Sequence, residues 1–167
     1  YFPVRKMGRA ARAVEQWRKE RPDLDVRPMA LIGRLSEASQ AISRDRLAPL
    51  FASFGLQRGE FDVLATLRRS GAPYALTPTA LYEATMVTSG AMTARLDRLE
   101  KAGLIARAPH PADRRGVLVR LTGKGRKLID EAVTAHVENE RRILSGLTAK
   151  EQETLIELLE KLIAAAK

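Results

Sequence analysis

Apolar side chains recur every three or four residues along most of the sequence, and over one stretch they alternate instead. Those two periods predict helices interrupted by a pair of short strands. From about Gly8 to Glu20, Ala10, Ala13, Val14 and Trp17 form a narrow stripe on an otherwise charged helix, which Arg21-Pro22-Asp23 ends. A longer helix opens near Pro28, carries Leu31, Ile32, Leu35 and Ile42, and meets Pro49, which predicts a kink before Phe51, Phe54 and the closing Gly55. GEFDVLATLRRSG predicts a third helix with Phe61, Leu64 and Leu67 inward. TPTALYEAT predicts a short fourth, with Thr77 as N-cap and Pro78 in the first turn, followed by a turn at Met86 and Val87. SGAMTARLDRLEKAG is a fifth, its Met92, Leu96 and Leu99 on one face and Gly103 at its C-terminal cap.

The period then changes. LIARAP and GVLVRLT read as strands, and HPADRRG between them supplies the Pro, Asp and Gly of a turn, so the pair predicts a β-hairpin. Two long amphipathic helices follow, one from about Thr122 to Ser145 and one opened by the capping box Thr148-x-x-Glu151. The expected fold class is mainly α with a small β-hairpin wing, a winged helix-turn-helix with a helical dimerisation region. One domain is expected over 1–167: an extra N-terminal helix at 8–20, a DNA-binding lobe at 59–121, and dimerisation helices at 27–55 and 122–167.

Composition sharpens the functional side. The chain has 29 Lys and Arg against 20 Asp and Glu, a net charge of +9, which points to a polyanionic partner or an anionic surface. With no cysteine it has neither disulfides nor thiolate chemistry. No apolar run approaches the roughly 18 residues of a membrane helix, and YFPVRKMGRA lacks the apolar core of a signal peptide, so a cytoplasmic protein without a membrane partner is expected.

Helix, tight turn, helix and charged hairpin, in that order, are the parts of a winged helix-turn-helix. Its second helix enters a major groove and its hairpin touches a neighbouring groove. From Arg107 to Lys127 there are seven Lys or Arg and one acid, Asp113. Opposite Met92, Leu96 and Leu99, the fifth helix presents Gly90, Ala94, Asp97, Arg98 and Lys101, small residues first and charged ones after. The candidate DNA contacts are Thr88, Ser89, Gly90, Thr93 and Arg98 on this helix, and Arg114 and Arg115 at the wing tip. A merely solvated basic face explains the helix alone; it does not explain helix pair, hairpin and charge cluster together.

FDVLATLRRSG, LTPTALYEAT, SGAMTARLDRLEKAGLIAR and above all DRRGVLVRLTGKG resemble the multiple-antibiotic-resistance regulator (MarR) family of winged-helix transcription factors, from about Leu31 onward. The most specific element is the wing pattern carried by Asp113, Arg115, Gly116, Val119, Leu121, Thr122 and Gly125. The resemblance implies a homodimer, interlocked through the first long helix and the last two, over a pseudo-palindromic operator. Independently, Leu128, Ile129, Ala132, Val133, Val137, Ile143 and Leu144, with Leu155, Ile156, Leu159, Leu162 and Ile163, exceed what two terminal helices need for one small core. Intrachain packing is the alternative.

The helix before the family's usual first helix resembles that of the urate-responsive branch. That branch is marked by a tryptophan, an aspartate and two arginines, matched by Trp17, Asp62, Arg95 and Arg107. The resemblance implies that these four bind a small anionic effector such as urate and relay its arrival to the recognition helix. By itself Trp17 reads as a packing anchor, and Arg95 and Arg107 as phosphate contacts or surface ion pairs. Arg95 lies about 70° from the centre of its helix's apolar stripe, at the shoulder of the core. Removing the partner of such a buried charge costs on the order of 3 to 5 kcal/mol. Asp62 is the candidate partner, although periodicity sets it nearly opposite Phe61, Leu64 and Leu67, where it would be solvated.

Catalysis is not expected. His110 and His136 are the only histidines, in different elements, and no P-loop, HExxH, GxSxG or GxGxxG pattern occurs, so no catalytic residue, metal or cofactor is assigned. The functional expectation is a ligand-released repressor. Alternatives are a regulator answering to a phenolic or aromatic acid, and a winged-helix protein acting through protein partners or nonspecific DNA contacts.

Overall fold

The computed structural model describes residues 8–85, 92–111 and 116–166. The contacts gather in two compact units, Tyr1–Arg46 and Leu47–Lys167.

The first unit is a helical hairpin of α1 (Arg9–Glu20) and α2 (Arg27–Ile42). Val14 and Val26 are its buried apolar residues. Gly33 lies against Ala10, where a Cβ would come within 3.0 Å of the Ala10 Cβ, so a glycine lets the helices close up. The first turn of α1 has no acidic residue and its cap, Gly8, has no side chain; instead Glu37 of α2 accepts the Arg9 N–H at 2.9 Å. Met29, Leu31, Ile32 and Leu35 leave the other side of α2 exposed and apolar.

A π-helical turn, Ser43–Leu47, leads into α3 (Ala48–Ser53). Pro49, at which the sequence predicts a kink, lies in the first turn of α3, directly after it. Proline has no N–H to donate and its ring crowds the carbonyl four residues back, so a widened turn takes up the misfit.

In the second unit α4 (Arg58–Arg69) is central, followed by β1 (Ala75–Leu76), α5 (Pro78–Ala84), α6 (Met92–Lys101), β2 (Ile105–Pro109), β3 (Val117–Leu121), α7 (Gly123–Ile143) and α8 (Ala149–Ala165). Thr77, Thr122 and Thr148 cap α5, α7 and α8, each accepting the amide three residues on. The sheet is antiparallel in the order β1-β3-β2, with Arg107 opposite Val119 and Leu76 beside the same Val119. The wing is therefore a three-stranded sheet rather than a lone hairpin. Leu64, Leu67, Leu81, Leu99, Ile105, Val119 and Ile129 are fully buried, so α4, α5, α6, the sheet and α7 share one core. The Tyr74 ring meets both Arg68 and Arg126, 5.1 and 4.9 Å from their guanidinium carbons, joining the end of α4 to the start of α7.

α8 has no buried residue, and Leu155, Ile156, Leu158 and Ile163 are exposed. Among the described residues no helix is long and apolar enough to cross a membrane.

Candidate nucleic-acid interface and ligand site

Two residues of the wing pattern, Thr122 and Gly125, turn out to build a joint. After α6, Gly103 takes a left-handed φ of 71°, the C-terminal cap that its position predicts. The freed carbonyls are then taken up from beyond the sheet. The Thr122 hydroxyl donates to Gly103 at 2.7 Å, the Thr122 N–H to Leu104 at 3.1 Å, and the Lys124 ammonium to Ala102 at 2.8 Å. Gly125 passes so close to the Leu104 carbonyl oxygen that a Cβ there would collide with it. Thr122 and Gly125 thus weld the end of the hairpin to the end of α6, and the His110 N–H to Gly116 bond at 2.9 Å draws the hairpin together near its tip.

A second tie runs along the side of α6. Arg107 of β2 donates to Asp97 at 2.7 Å and to Glu100 at 2.6 Å, and its backbone N–H reaches Glu100 at 3.1 Å. The Asp97 hydrogen bond, ahead of Glu100, holds the Arg107 pKa above its ordinary value. A third tie joins α6 to α4, where Arg98 donates to Glu60 at 2.7 Å. Glu60 also accepts the Gln57 N–H at 2.8 Å, reaching back to the start of α4 as in a capping box. Neither acidic partnership is expected from the sequence. Gln57-x-x-Glu60 was the available signal for one, obscured because glutamine is a poor N-cap; nothing in the local spacing announces the other.

Of the expected DNA contacts, Thr93 is exposed on α6 and Arg98 is half open to solvent while engaged with Glu60. Thr88, Ser89, Gly90, Arg114 and Arg115 lie outside the described residues.

The expected ligand residues divide. Asp62 is half-buried on α4 rather than solvated, and desolvation raises its pKa against the opposing pull of Arg58, Arg69, Arg95 and His136. Periodicity misplaces it because α4 is enclosed by α6 and α7 as well as by the main core. The Arg95 side chain lies across Gly59, where any Cβ would overlap its guanidinium. Its Nη1 is buried without a hydrogen-bond partner, as are Thr66 Oγ1, one turn beyond Asp62, and His136 Nδ1. His136 sits against Phe51 and Phe61, at ring separations of 5.5 and 4.9 Å, and its Nε2 faces Glu140 at 3.1 Å. Asp62 and Arg95 are therefore within electrostatic reach of each other, whereas Arg107 is already held by two acids. Trp17, in the first unit, is 44% exposed on α1.

A family model described as "MarR family" matches residues 54–116, the stretch from just after α3 to just before β3. The HTH-type transcriptional regulator PecS of Dickeya dadantii is 51% identical over 146 residues, 87% of each chain. The chain belongs to the MarR family. As a MarR-family member it is a transcriptional regulator, and its architecture agrees with solved relatives. A mutant MarR from E. coli, complexed with operator DNA, is 28% identical with a TM-score of 0.69, covering 87% of this chain and 96% of that one. Bordetella bronchiseptica BpsR, whose DNA binding is regulated by 6-hydroxynicotinic acid, is 30% identical with a TM-score of 0.65, covering 78% and 90%.

Proposed function

We propose that this MarR-family protein is a homodimeric repressor, released from a pseudo-palindromic operator by a small anionic ligand such as urate. The DNA part rests on the welded joint of α6 and wing, which presents recognition helix and basic hairpin as one rigid surface. Thr88, Ser89, Gly90 and Thr93 approach bases and phosphates, and Arg114 and Arg115 reach the adjacent groove. The exposed apolar faces of α2 and α8 support a second copy as partner. Sedimentation should find a dimer, and Ile156→Glu should shift it toward monomer.

The ligand part rests on one observation: Arg95 lies across Gly59 with a buried, unpaired Nη1, within electrostatic reach of a half-buried Asp62. An anion there satisfies the guanidinium and opposes the Asp62 carboxylate, and because Arg95 is on α6 the change is delivered to the recognition helix. At Arg107 an anion competes with Asp97 and Glu100. A hundredfold loss of operator affinity requires about 2.7 kcal/mol of coupling.

Titrating urate against the operator complex tests this, with Trp17→Phe and Arg95→Gln as variants and tryptophan fluorescence as a second readout. Unchanged DNA binding at millimolar urate removes urate as effector. The BpsR relationship favours an aromatic acid as the second reading, so 6-hydroxynicotinic acid and salicylate form parallel arms. Competition with unrelated DNA at fixed salt separates a specific regulator, preferring its site by ~10³ or more, from a nonspecific binder.

A further inference from the structure

The described part of α6 carries two acids, Asp97 and Glu100, on the helix that faces DNA in the reading above. Phosphates surround a helix seated in a groove, and an uncompensated carboxylate there opposes binding. Neither acid is buried: their side chains are 60% and 38% exposed. Both are nevertheless drawn to one side of α6 by the same cation. Arg107 spans them from β2, and Glu100 takes the Arg107 backbone N–H as well, so strand and helix fix the guanidinium from two directions. An isolated surface ion pair contributes little because two long side chains must be ordered for it. Here the strand register, with Arg107 opposite Val119, and the bond from its backbone N–H to Glu100 already fix the main chain that carries the guanidinium.

We propose that Arg107 is a positioning residue for operator binding: it ties Asp97 and Glu100 back against the hairpin, neutralised and away from the phosphates. This rests on the reading of α6 as the recognition helix and requires no effector. It makes the wing base an electrostatic mask for the helix beside it, a task distinct from touching DNA or ligand.

The test measures operator affinity of the full chain by fluorescence anisotropy, at fixed salt and without effector. Arg107→Gln should weaken binding by about tenfold or more, the scale of a like charge left facing phosphate. Adding Asp97→Asn and Glu100→Gln should restore at least about half of that loss on a logarithmic scale. Smaller recovery, or an Arg107→Gln protein that binds like wild type, overturns the proposal. A direct phosphate contact by Arg107 predicts no recovery, together with a salt slope reduced by about one unit in both variants. Thermal unfolding monitors folding. Should Arg107→Gln not fold, Asp97→Asn/Glu100→Gln with Arg107 intact must bind at least as tightly as wild type, and weaker binding overturns the idea. If wild type itself binds no operator, it is the DNA reading that fails.

Discussion

Glu60 and Arg98 meet at 2.7 Å, the acid almost enclosed, with 7% of its side chain exposed, and the arginine side chain 48% exposed. Because the same carboxylate accepts the Gln57 N–H, one acid both starts α4 and anchors α6 to it. Glu60→Ala removes both roles and should cost about 2 kcal/mol, a lost cap plus a half-exposed pair. Urea denaturation checks this, and a change within about 0.5 kcal/mol would show the anchor to be idle.

Gly59→Ala puts a methyl group where the Arg95 guanidinium now lies. The obstacle is the end of a flexible side chain, so stability should change by less than about 1 kcal/mol, with alanine's better helix propensity offsetting the displacement. Effector response should change far more than stability. Equal loss of both would separate Arg95 from the ligand site.

Asp62 is half-buried with its pKa raised by desolvation, which outweighs the opposing pull of Arg58, Arg69, Arg95 and His136. The folded state therefore holds a proton on Asp62 at pH values where the unfolded chain has lost it, and stability falls as pH rises from the ordinary carboxylate range through the raised folded pKa. Above that window the ionised form is penalised in full. Asp62→Asn should be more stable than wild type near neutrality and lack this descending limb. Denaturant midpoints across the acid-to-neutral range test it; a less stable variant at neutral pH would contradict it.

In the wing, Arg115→Ala should weaken operator binding and reduce the slope of log affinity against log salt by about one unit, as losing one phosphate or narrow-groove contact does. An unaltered slope and intercept would remove Arg115 from the interface.

The helices, their threonine caps and the Gly103 turn were legible in the sequence because each is written within a few residues. Thr77 and Thr148 announce themselves by the residue type at the cap, and the burial of Met92, Leu96 and Leu99 by their spacing. β1 was not legible. Two residues, Ala75 and Leu76, show no alternation, and they become a strand only by pairing with β3. The ties that orient α6 were hidden for a related reason: Glu60 and Arg98 are 38 residues apart, and Asp97 and Arg107 belong to different elements. For Asp62 the helical wheel gave the wrong environment, since a single stripe describes a helix with one buried side and α4 has neighbours on more than one.

The Glu37 carboxylate at the head of α1 makes that helix conditional on α2. A peptide of residues 8–20 alone, lacking an acidic first turn and a capping side chain, should be a poor helix in water and should gain order only when joined to residues 27–42. The segment bearing Trp17 thus borrows a capping partner from downstream in the chain, and during synthesis the Arg9 N–H has only water to donate to until Glu37 emerges.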